Sequence, residues 1–169
     1  MAALQLAKAI GGRVIVTSRE DAKLERALAL GADHAINSQR NDVAREVMAL
    51  TQSRGVDVVF ENVGAAVWAS ALKSLARGGR LVTCGATTGD QPGADLRRLF
   101  VRQLQIFGSS LGSLGEFRDL LGFVQRHNLC PIIDSEYPLD DVCAALSRLE
   151  SGVQFGKIAL CIEGHETSA

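Results

Sequence analysis

Residues 13–23 (RVIVTSREDAK) predict the fold of this chain. The apolar run 14–16 is typical of a short buried strand, residues 17–19 of a polar turn, and the residues after them of a helix start. Ligands of open α/β sheets bind at the carboxyl ends of strands, where Ser18, Arg19 and Lys23 fall here. An acidic residue at such an exit suits a bare ribose, whereas an arginine suits a 2′-phosphate. The stretch therefore predicts an NADP(H) pocket.

Strands and helices alternate along the rest of the chain. We predict strands near residues 14–16, 32–37, 56–60, 80–84, 104–109 and 156–162, an extended segment at 130–137, and helices over 2–10, 22–30, 42–51, 67–75, 96–102, 114–126 and 140–150. Strands about 20–25 residues apart with helices between them are typical of a parallel, doubly wound sheet. Asp42, Asp95 and Asp140 are predicted helix caps, and residues 56–60 (VDVVF) the clearest buried strand.

Length and composition limit the class of protein. A chain of 169 residues suits one domain with a sizeable core. Hydrophobic residues make up 47% and aromatic residues 5%, so the core must be aliphatic. A net charge of −1 implies no general attraction to nucleic acid or membrane, and no apolar run approaches the ~20 residues of a membrane span. No secretory leader is recognisable, so we expect a cytoplasmic protein.

Residues that often carry chemistry are scattered. The cysteines are far apart and form no CxxC pair, which favours reduced, small apolar side chains over disulfides or a metal site. The sequence predicts no metal-ligand cluster and no catalytic residue. For Glu61, a strand-end side chain bonded to backbone is favoured over a catalytic carboxylate. For Cys84, a place in the core is favoured over one facing the crevice. The residues considered are Cys84, Cys130, Cys143, Cys161, His34, His127, His165, Glu61 and Tyr137.

The predicted strand exits are polar or rich in glycine, which lets a flat ligand approach the backbone closely. Each exit alone is an ordinary turn, but together they favour a ligand crevice. For Arg19 and Lys23 the alternative is a pair of solvated charges. Two cations at a helix start oppose the helix dipole, however, and Ser18 adds a donor, so a phosphate site is favoured.

Six segments together resemble the cofactor-binding domain of the medium-chain dehydrogenase/reductase superfamily, in particular of quinone oxidoreductases and zinc-type alcohol dehydrogenases. They extend over residues 2–160 and are QLAKAIGGRVIVTSR, AKLERALALGADHAIN, SRGVDVVFENVG, ARGGRLVTCGATTG, LQIFGSSLGS and YPLDDVCAALSRLESGVQFGKIAL. The resemblance implies a Rossmann-type, doubly wound parallel α/β sheet. It also implies NADP(H), in preference to NAD(H), as the hydride carrier for a carbonyl, quinone or alcohol substrate.

The resemblance assigns roles residue by residue. The positions around the adenosine ribose and its phosphate are matched by Ser18, Arg19 and Lys23. The adenosine-side loop is matched by Asn62, Val63 and Gly64. The loops around nicotinamide and its ribose match Gly85, Ala86, Thr87, Phe107, Gly108 and Ser109. Residues 104–111 match the edge strand through which family members pair, which implies a homodimer. Residues 1–137 would be the cofactor-binding domain, 138–162 the return to a catalytic domain, and 163–169 a disordered tail.

Departures from the family pattern are as informative. The catalytic domain with its zinc ligands, the first strand of the sheet and the GxGxxG turn are not found in these 169 residues. Zinc remains possible in a full-length relative. Ser38 stands where many quinone oxidoreductases carry a tyrosine, and Glu61 where Asp is more frequent. Without the central strand, two apolar strands would either close up or leave open edges. We therefore expect the chain alone to be catalytically inactive.

Two other interpretations remain. The chain could be a non-enzymatic module that only folds, dimerises or joins a partner supplying the missing strand. A different Rossmann-like enzyme, such as a methyltransferase, is less favoured. That fold ends in an antiparallel hairpin strand, which residues 104–126 do not resemble.

Overall fold

The structure is a computed structural model that describes residues 1–162. The helices are α1 (Ala2–Ala9), α2 (Asp21–Ala29), α3 (Val43–Leu50), α4 (Ala65–Ser74), α5 (Leu96–Arg102), α6 (Leu114–Arg126) and α7 (Val142–Ser151), with a 3₁₀ helix at Leu139–Asp141. The strands are β1 (Ile15–Ser18), β2 (His34–Asn37), β3 (Val56–Glu61), β4 (Leu75–Thr83), β5 (Gln105–Gly108), β6 (Ile133–Pro138) and β7 (Lys157–Cys161). The predicted tail, 163–169, lies outside the described residues.

The chain divides into two compact units. One comprises residues 13–118, and the other residues 1–12 with the chain from 119 onward. The domain boundary predicted after residue 137 stays a prediction.

All strands of the larger unit pair in parallel, which confirms the predicted α/β class. β1 pairs with β2, and β4 lies between β3 and β5. In the described part of the chain these strands form two separate sheets. One sheet contains β1 and β2, and the other contains β3, β4 and β5. Of the two outcomes expected without the central strand, β1 and β3 have thus not closed up, and within the described residues one edge of each stays open.

The core of the larger unit lies around β4. Leu72, Leu75 and Leu81 are fully buried there, and Val59 and Leu104 pack against them. The prediction that residues 56–60 form the clearest buried strand was wrong. Val58 and Phe60 are 46% and 56% exposed. Side chains two apart share one face of a strand, and on β3 that face carries these two exposed side chains.

Helix starts were predicted with mixed success. Asp42 accepts a hydrogen bond from the Arg45 amide at 3.2 Å, and Asp95 one from the Arg98 amide at 3.0 Å, so both caps are confirmed. Asp140 is not a cap, because it lies inside the 3₁₀ helix that precedes α7.

The fourth strand was predicted near residues 80–84, but β4 begins at Leu75 and contains the glycine pair at 78–79. Val56 pairs with Leu75 and Val58 with Arg80, so residues 76–79 bulge out of the ladder. Gly78 has a φ of +72°, a conformation that suits glycine. The strand therefore extends through a bulge beyond its predicted amino end.

The smaller unit is built on β6 and β7, which pair in parallel and pack against α7. Asp134 of β6 connects this strand to α7 and to the segment before β7. Its side chain is only 4% exposed and accepts hydrogen bonds from Arg148 Nε at 2.7 Å and the Phe155 amide at 2.9 Å. Gln5 of α1 donates to the Cys130 carbonyl at 2.8 Å. Within residues 1–162, no helix is long and apolar enough to cross a membrane.

Candidate functional site

The exit of β1 presents a hydroxyl and a cation. Ser18 Oγ accepts a hydrogen bond from the Glu20 amide at 3.2 Å, which leaves the hydroxyl hydrogen free to be donated to a ligand. Arg19 is exposed, and its guanidinium forms no ion pair with any residue from 1 to 162. Both side chains therefore can contact an anion at this end of the strand.

Asn37 joins the exits of β1 and β2. It stands opposite Ser18 in the register and is only 8% exposed. Its Nδ2 donates to Asp21 Oδ1 at 2.6 Å and to the Arg19 carbonyl at 3.4 Å, while its Oδ1 accepts from the Gln39 amide at 2.9 Å. This one buried amide fixes the backbone of Arg19 relative to the start of α2.

Two ion pairs surround this exit. Lys23 Nζ lies 3.0 Å from Glu20 Oε1, and Arg40 Nη1 lies 2.8 Å from Asp21 Oδ2. The two carboxylates are thus balanced by two cations, and Arg19 adds a third positive charge. The charge of Lys23 is partly compensated by Glu20, so Arg19 offers the larger share of attraction for a phosphate.

The exits of β3 and β4 are joined by a set of hydrogen bonds. The Val63 carbonyl accepts from Thr88 Oγ1 at 2.7 Å and from the Thr88 amide at 2.8 Å. Thr88 Oγ1 in turn accepts from the Ala66 amide at 3.0 Å. A Cβ on Gly85 would lie 3.0 Å from the Asn62 carbonyl oxygen. The predicted loops 62–64 and 85–87 therefore form one continuous surface.

Glu61 holds the turn that begins this surface. It is 6% exposed, and its Oε2 accepts hydrogen bonds from the Val63 amide at 3.0 Å and the Gly64 amide at 2.8 Å. Its Oε1 is buried and has no hydrogen-bond partner among the described residues. The interpretation of Glu61 as a strand-end residue bonded to backbone is confirmed.

The exit of β5 lies beside that of β4. Thr83 pairs with Gly108, and the Thr83 carbonyl accepts from the Ser109 amide at 2.9 Å. A Cβ on Gly108 would meet nothing within 4 Å, so the glycine leaves open space over the strand end. Phe107 is exposed there. The last predicted exit thus extends the surface formed by the loops at 62–64 and 85–87.

Cys84 was predicted to lie in the core, and this was wrong. It is exposed just beyond the end of β4, where its amide donates to the Glu61 carbonyl at 3.2 Å. The other three cysteines are exposed and free as well. Over residues 1–162 no three His, Cys, Asp or Glu side chains are grouped as metal ligands.

The structure thus places the predicted residues in two groups. The first group, Ser18, Arg19 and Lys23, lies at the exit of β1 and the start of α2. The second group, the loops at 62–64, 85–87 and 107–109, lies at the exits of β3, β4 and β5. Sequence reasoning missed Asn37 and Arg40. The polar end of β2 was their only signal, and its meaning depends on the pairing of Ser18 with Asn37.

The donor set of the first group suits a phosphorylated ribose. A hydroxyl donor and an arginine match a phosphate. In the second group, the open space at Gly108 and the backbone loops suit a flat ring.

A family model described as zinc-binding dehydrogenase matches residues 1–126. The chain belongs to this family.

Members and solved structures of the zinc-binding dehydrogenase family resemble the chain over most of its length. A zinc-type alcohol dehydrogenase-like protein of Schizosaccharomyces pombe is 31% identical over 95% of this chain and 48% of its own. An NAD-dependent alcohol dehydrogenase of Saccharolobus solfataricus is 30% identical over 94% of this chain and 46% of its own. The quinone oxidoreductase structure from Pseudomonas syringae pv. tomato has a TM-score of 0.80 at 29% identity, over 94% and 51%.

The chain thus spans about half the length of the curated relatives it matches. The resemblance inferred from the six sequence segments is confirmed, as is the Rossmann-type fold. Membership supports an oxidoreductase domain that binds a nicotinamide cofactor.

Proposed function

We propose that this chain is the cofactor-binding part of an NADP(H)-dependent oxidoreductase that transfers hydride to or from a carbonyl, quinone or alcohol. The observation that carries the proposal is the β1 exit. There Arg19 is exposed without an ion pair to residues 1–162, next to the Ser18 hydroxyl. An arginine at this place accommodates the 2′-phosphate that distinguishes NADP(H) from NAD(H).

When bound, NADP(H) supplies the hydride chemistry, and the protein binds and orients it. Ser18, Arg19 and Lys23 would hold the adenosine ribose and its phosphate. The loop 62–64 would lie along the adenosine side, and the loops 85–87 and 107–109 would surround the nicotinamide and its ribose. Glu61 supports this surface without contacting the cofactor, because its carboxylate is used to hold the Val63 and Gly64 amides.

The choice between the two cofactors depends on this chain's own residues. One relative is by name NAD-dependent, so membership of the family leaves the choice open. Glu20 and Asp21 are the acidic residues nearest Arg19 in sequence, and both are engaged in ion pairs. Unpaired carboxylates would accept hydrogen bonds from the ribose hydroxyls and so favour NAD(H). Because both are paired with cations, the site favours NADP(H).

Calorimetric titration of the chain with NADPH and NADH tests the proposal. We expect NADPH to bind more tightly, and Arg19→Ala to weaken NADPH binding by about tenfold while leaving NADH unchanged, since one charged hydrogen bond is lost. Lys23→Ala should have a smaller effect, because Lys23 is paired with Glu20. Arg45→Ala, which removes an exposed arginine of α3, is the matched control. Equal affinity for the two cofactors would contradict the assignment.

Turnover is expected to need more than these residues. The described residues provide a binding surface but no group assigned to substrate or to proton transfer. We expect the 169-residue chain to bind NADPH without oxidising it in the presence of quinones or aldehydes. Free cysteines are typical of the reducing cytoplasm, where we place the protein.

The second candidate function is a folding and dimerisation module. One observation favours it: among residues 1–162, β5 pairs with β4 alone, so its other edge is open there, and all four of its residues are exposed. An exposed edge strand is a template for pairing with another chain. We propose that two copies pair through residues 104–111. Sedimentation with and without NADPH separates the candidates, because a module of this kind would form a dimer and show no response to the cofactor.

A further inference from the structure

Asp21 lies where a nicotinamide-dinucleotide fold could hold a bare ribose, two residues after Arg19 at the first turn of α2. A carboxylate at such a place accepts hydrogen bonds from the ribose hydroxyls. It would also repel a 2′-phosphate. An unpaired Asp21 would therefore act against the preference that Arg19 gives to the site.

In this structure both oxygens of Asp21 are occupied. Oδ1 accepts a hydrogen bond from Asn37 Nδ2 at 2.6 Å, and Oδ2 lies 2.8 Å from Arg40 Nη1. Asn37 is buried, so it fixes the orientation of the carboxylate, whereas Arg40 supplies the compensating charge. The Arg40 side chain is 72% exposed, so its main partner in the described chain is this carboxylate rather than the core.

Resting on the proposed function, we propose that Arg40 determines cofactor specificity by neutralising Asp21, which favours a ribose 2′-phosphate over a free 2′-hydroxyl. Arg40 is a positioning residue in this scheme, since it acts through the carboxylate. Asn37 completes the arrangement by holding Asp21 and the Arg19 backbone with the same amide nitrogen. Neither residue was identified by the pattern of the sequence around Arg19.

The inference is tested with two small ligands that differ only in the phosphate, 2′,5′-ADP and 5′-AMP. Neither contains a nicotinamide, so binding depends on the adenosine end alone. Their dissociation constants are measured by calorimetry for the wild-type chain and for Arg40→Ala, Arg40→Lys, Asp21→Asn and the double variant Arg40→Ala/Asp21→Asn. Arg54→Ala is the matched control, because Arg54, which precedes β3, also forms an exposed ion pair with an aspartate, Asp57 of β3.

We expect the wild type to prefer 2′,5′-ADP. Arg40→Ala should reduce that preference by about five- to tenfold, the effect of exposing one nearby negative charge. Arg40→Lys keeps the charge and should keep most of the preference, and Arg54→Ala should not change it. Adding Asp21→Asn to Arg40→Ala should restore the preference, because the charge that Arg40 neutralised is then absent. Thermal melting confirms that each variant is folded.

Distinct results would overturn the inference. An unchanged preference in Arg40→Ala would show that Arg40 has no part in specificity. Failure of Asp21→Asn to restore the preference would show that Arg40 acts on the phosphate itself and not through Asp21. A wild-type chain that binds neither nucleotide would overturn the adenosine pocket of the proposed function, and this inference with it.

Discussion

Gly64 shows at the scale of one residue how the candidate site depends on a backbone that only glycine adopts. Its φ is +88°, its amide donates to the buried Glu61 carboxylate, and a Cβ there would meet the Gly89 carbonyl oxygen and lie 2.9 Å from Ala86 Cα. Both the conformation and the space exclude a side chain. The loops that follow β3 and β4 can therefore contact each other only if residue 64 has no Cβ.

Replacing Gly64 by alanine should destabilise the larger unit by about 3 kcal/mol or more, since strain and overlap with backbone atoms act together. Gly78→Ala is the control, because Gly78 has a similar φ of +72° but a Cβ there would meet nothing within 4 Å. That variant should lose only about 1–2 kcal/mol, the cost of the left-handed conformation. Urea unfolding measures both. Equal losses would show that the close approach at Gly64 is unimportant.

Single residues also mark the limit of sequence-based prediction. Ser18 and Arg19 could be found because they directly follow an apolar run. Asn37 and Arg40 could not be found in this way. Their part in the site depends on the strand register, which pairs Ser18 with Asn37, 19 residues later in the sequence. The burial of Cys84 was predicted wrongly because the apolar run before it gives no sign of where β4 ends.

At the scale of elements, the β6–β7 pair and α7 depend on one carboxylate. The hydrogen bond from Arg148 and that from the Phe155 amide lower the pKa of Asp134 from 3.8 to about 2. Because the folded-state pKa lies below the ordinary value, Asp134 stabilises the fold fully above pH 4. This contribution is lost as the pH falls from about 4 to about 2.

Asp134→Asn should therefore flatten the pH dependence of the free energy of unfolding between pH 4 and pH 2, and lower stability at pH 7. Asp140→Asn, which removes an exposed negative charge of the same unit, is the control for net charge. Urea unfolding at several pH values between 2 and 7 provides the measurement. The account of Asp134 would be wrong if its asparagine variant kept the wild-type slope in this window.

Helices were predicted more accurately than strands for a physical reason. A helix carries its own period and caps, so Asp42, Asp95 and the apolar stripe of α6 could be recognised locally. A strand is defined by its partners. The start of β4 at Leu75 was missed because residues before the glycine bulge pair with Val56, far away in sequence.

At the scale of the whole molecule, the alternation of strands and helices predicted a parallel α/β fold correctly. What it could not predict is which apolar side chains stay exposed. β5 is a case in point, since Ile106 and Phe107 are apolar but lie exposed on an edge strand. An open edge with apolar side chains is favourable only if another strand covers it.

Phe107→Lys should therefore weaken the proposed homodimer, raising its dissociation constant about tenfold or more, because a charge would have to be buried at the pairing edge. Leu28→Lys changes a comparably exposed apolar side chain of α2 and should leave the association unchanged. Sedimentation velocity over a range of concentrations compares the two variants with the wild type. A wild-type chain that stays monomeric at all concentrations would refute pairing through β5.

The central claim is that the strand exits of residues 13–118 form an NADP(H) surface, and NADPH titration followed by backbone amide NMR tests it most directly. We predict saturable shift changes at Ser18, Arg19 and Asn37 and in the loops 62–64, 85–87 and 107–109. NADH should perturb the first three amides less, because it lacks the 2′-phosphate. The claim would be contradicted by spectra that do not change, or by changes confined to residues 1–12 and 119–162.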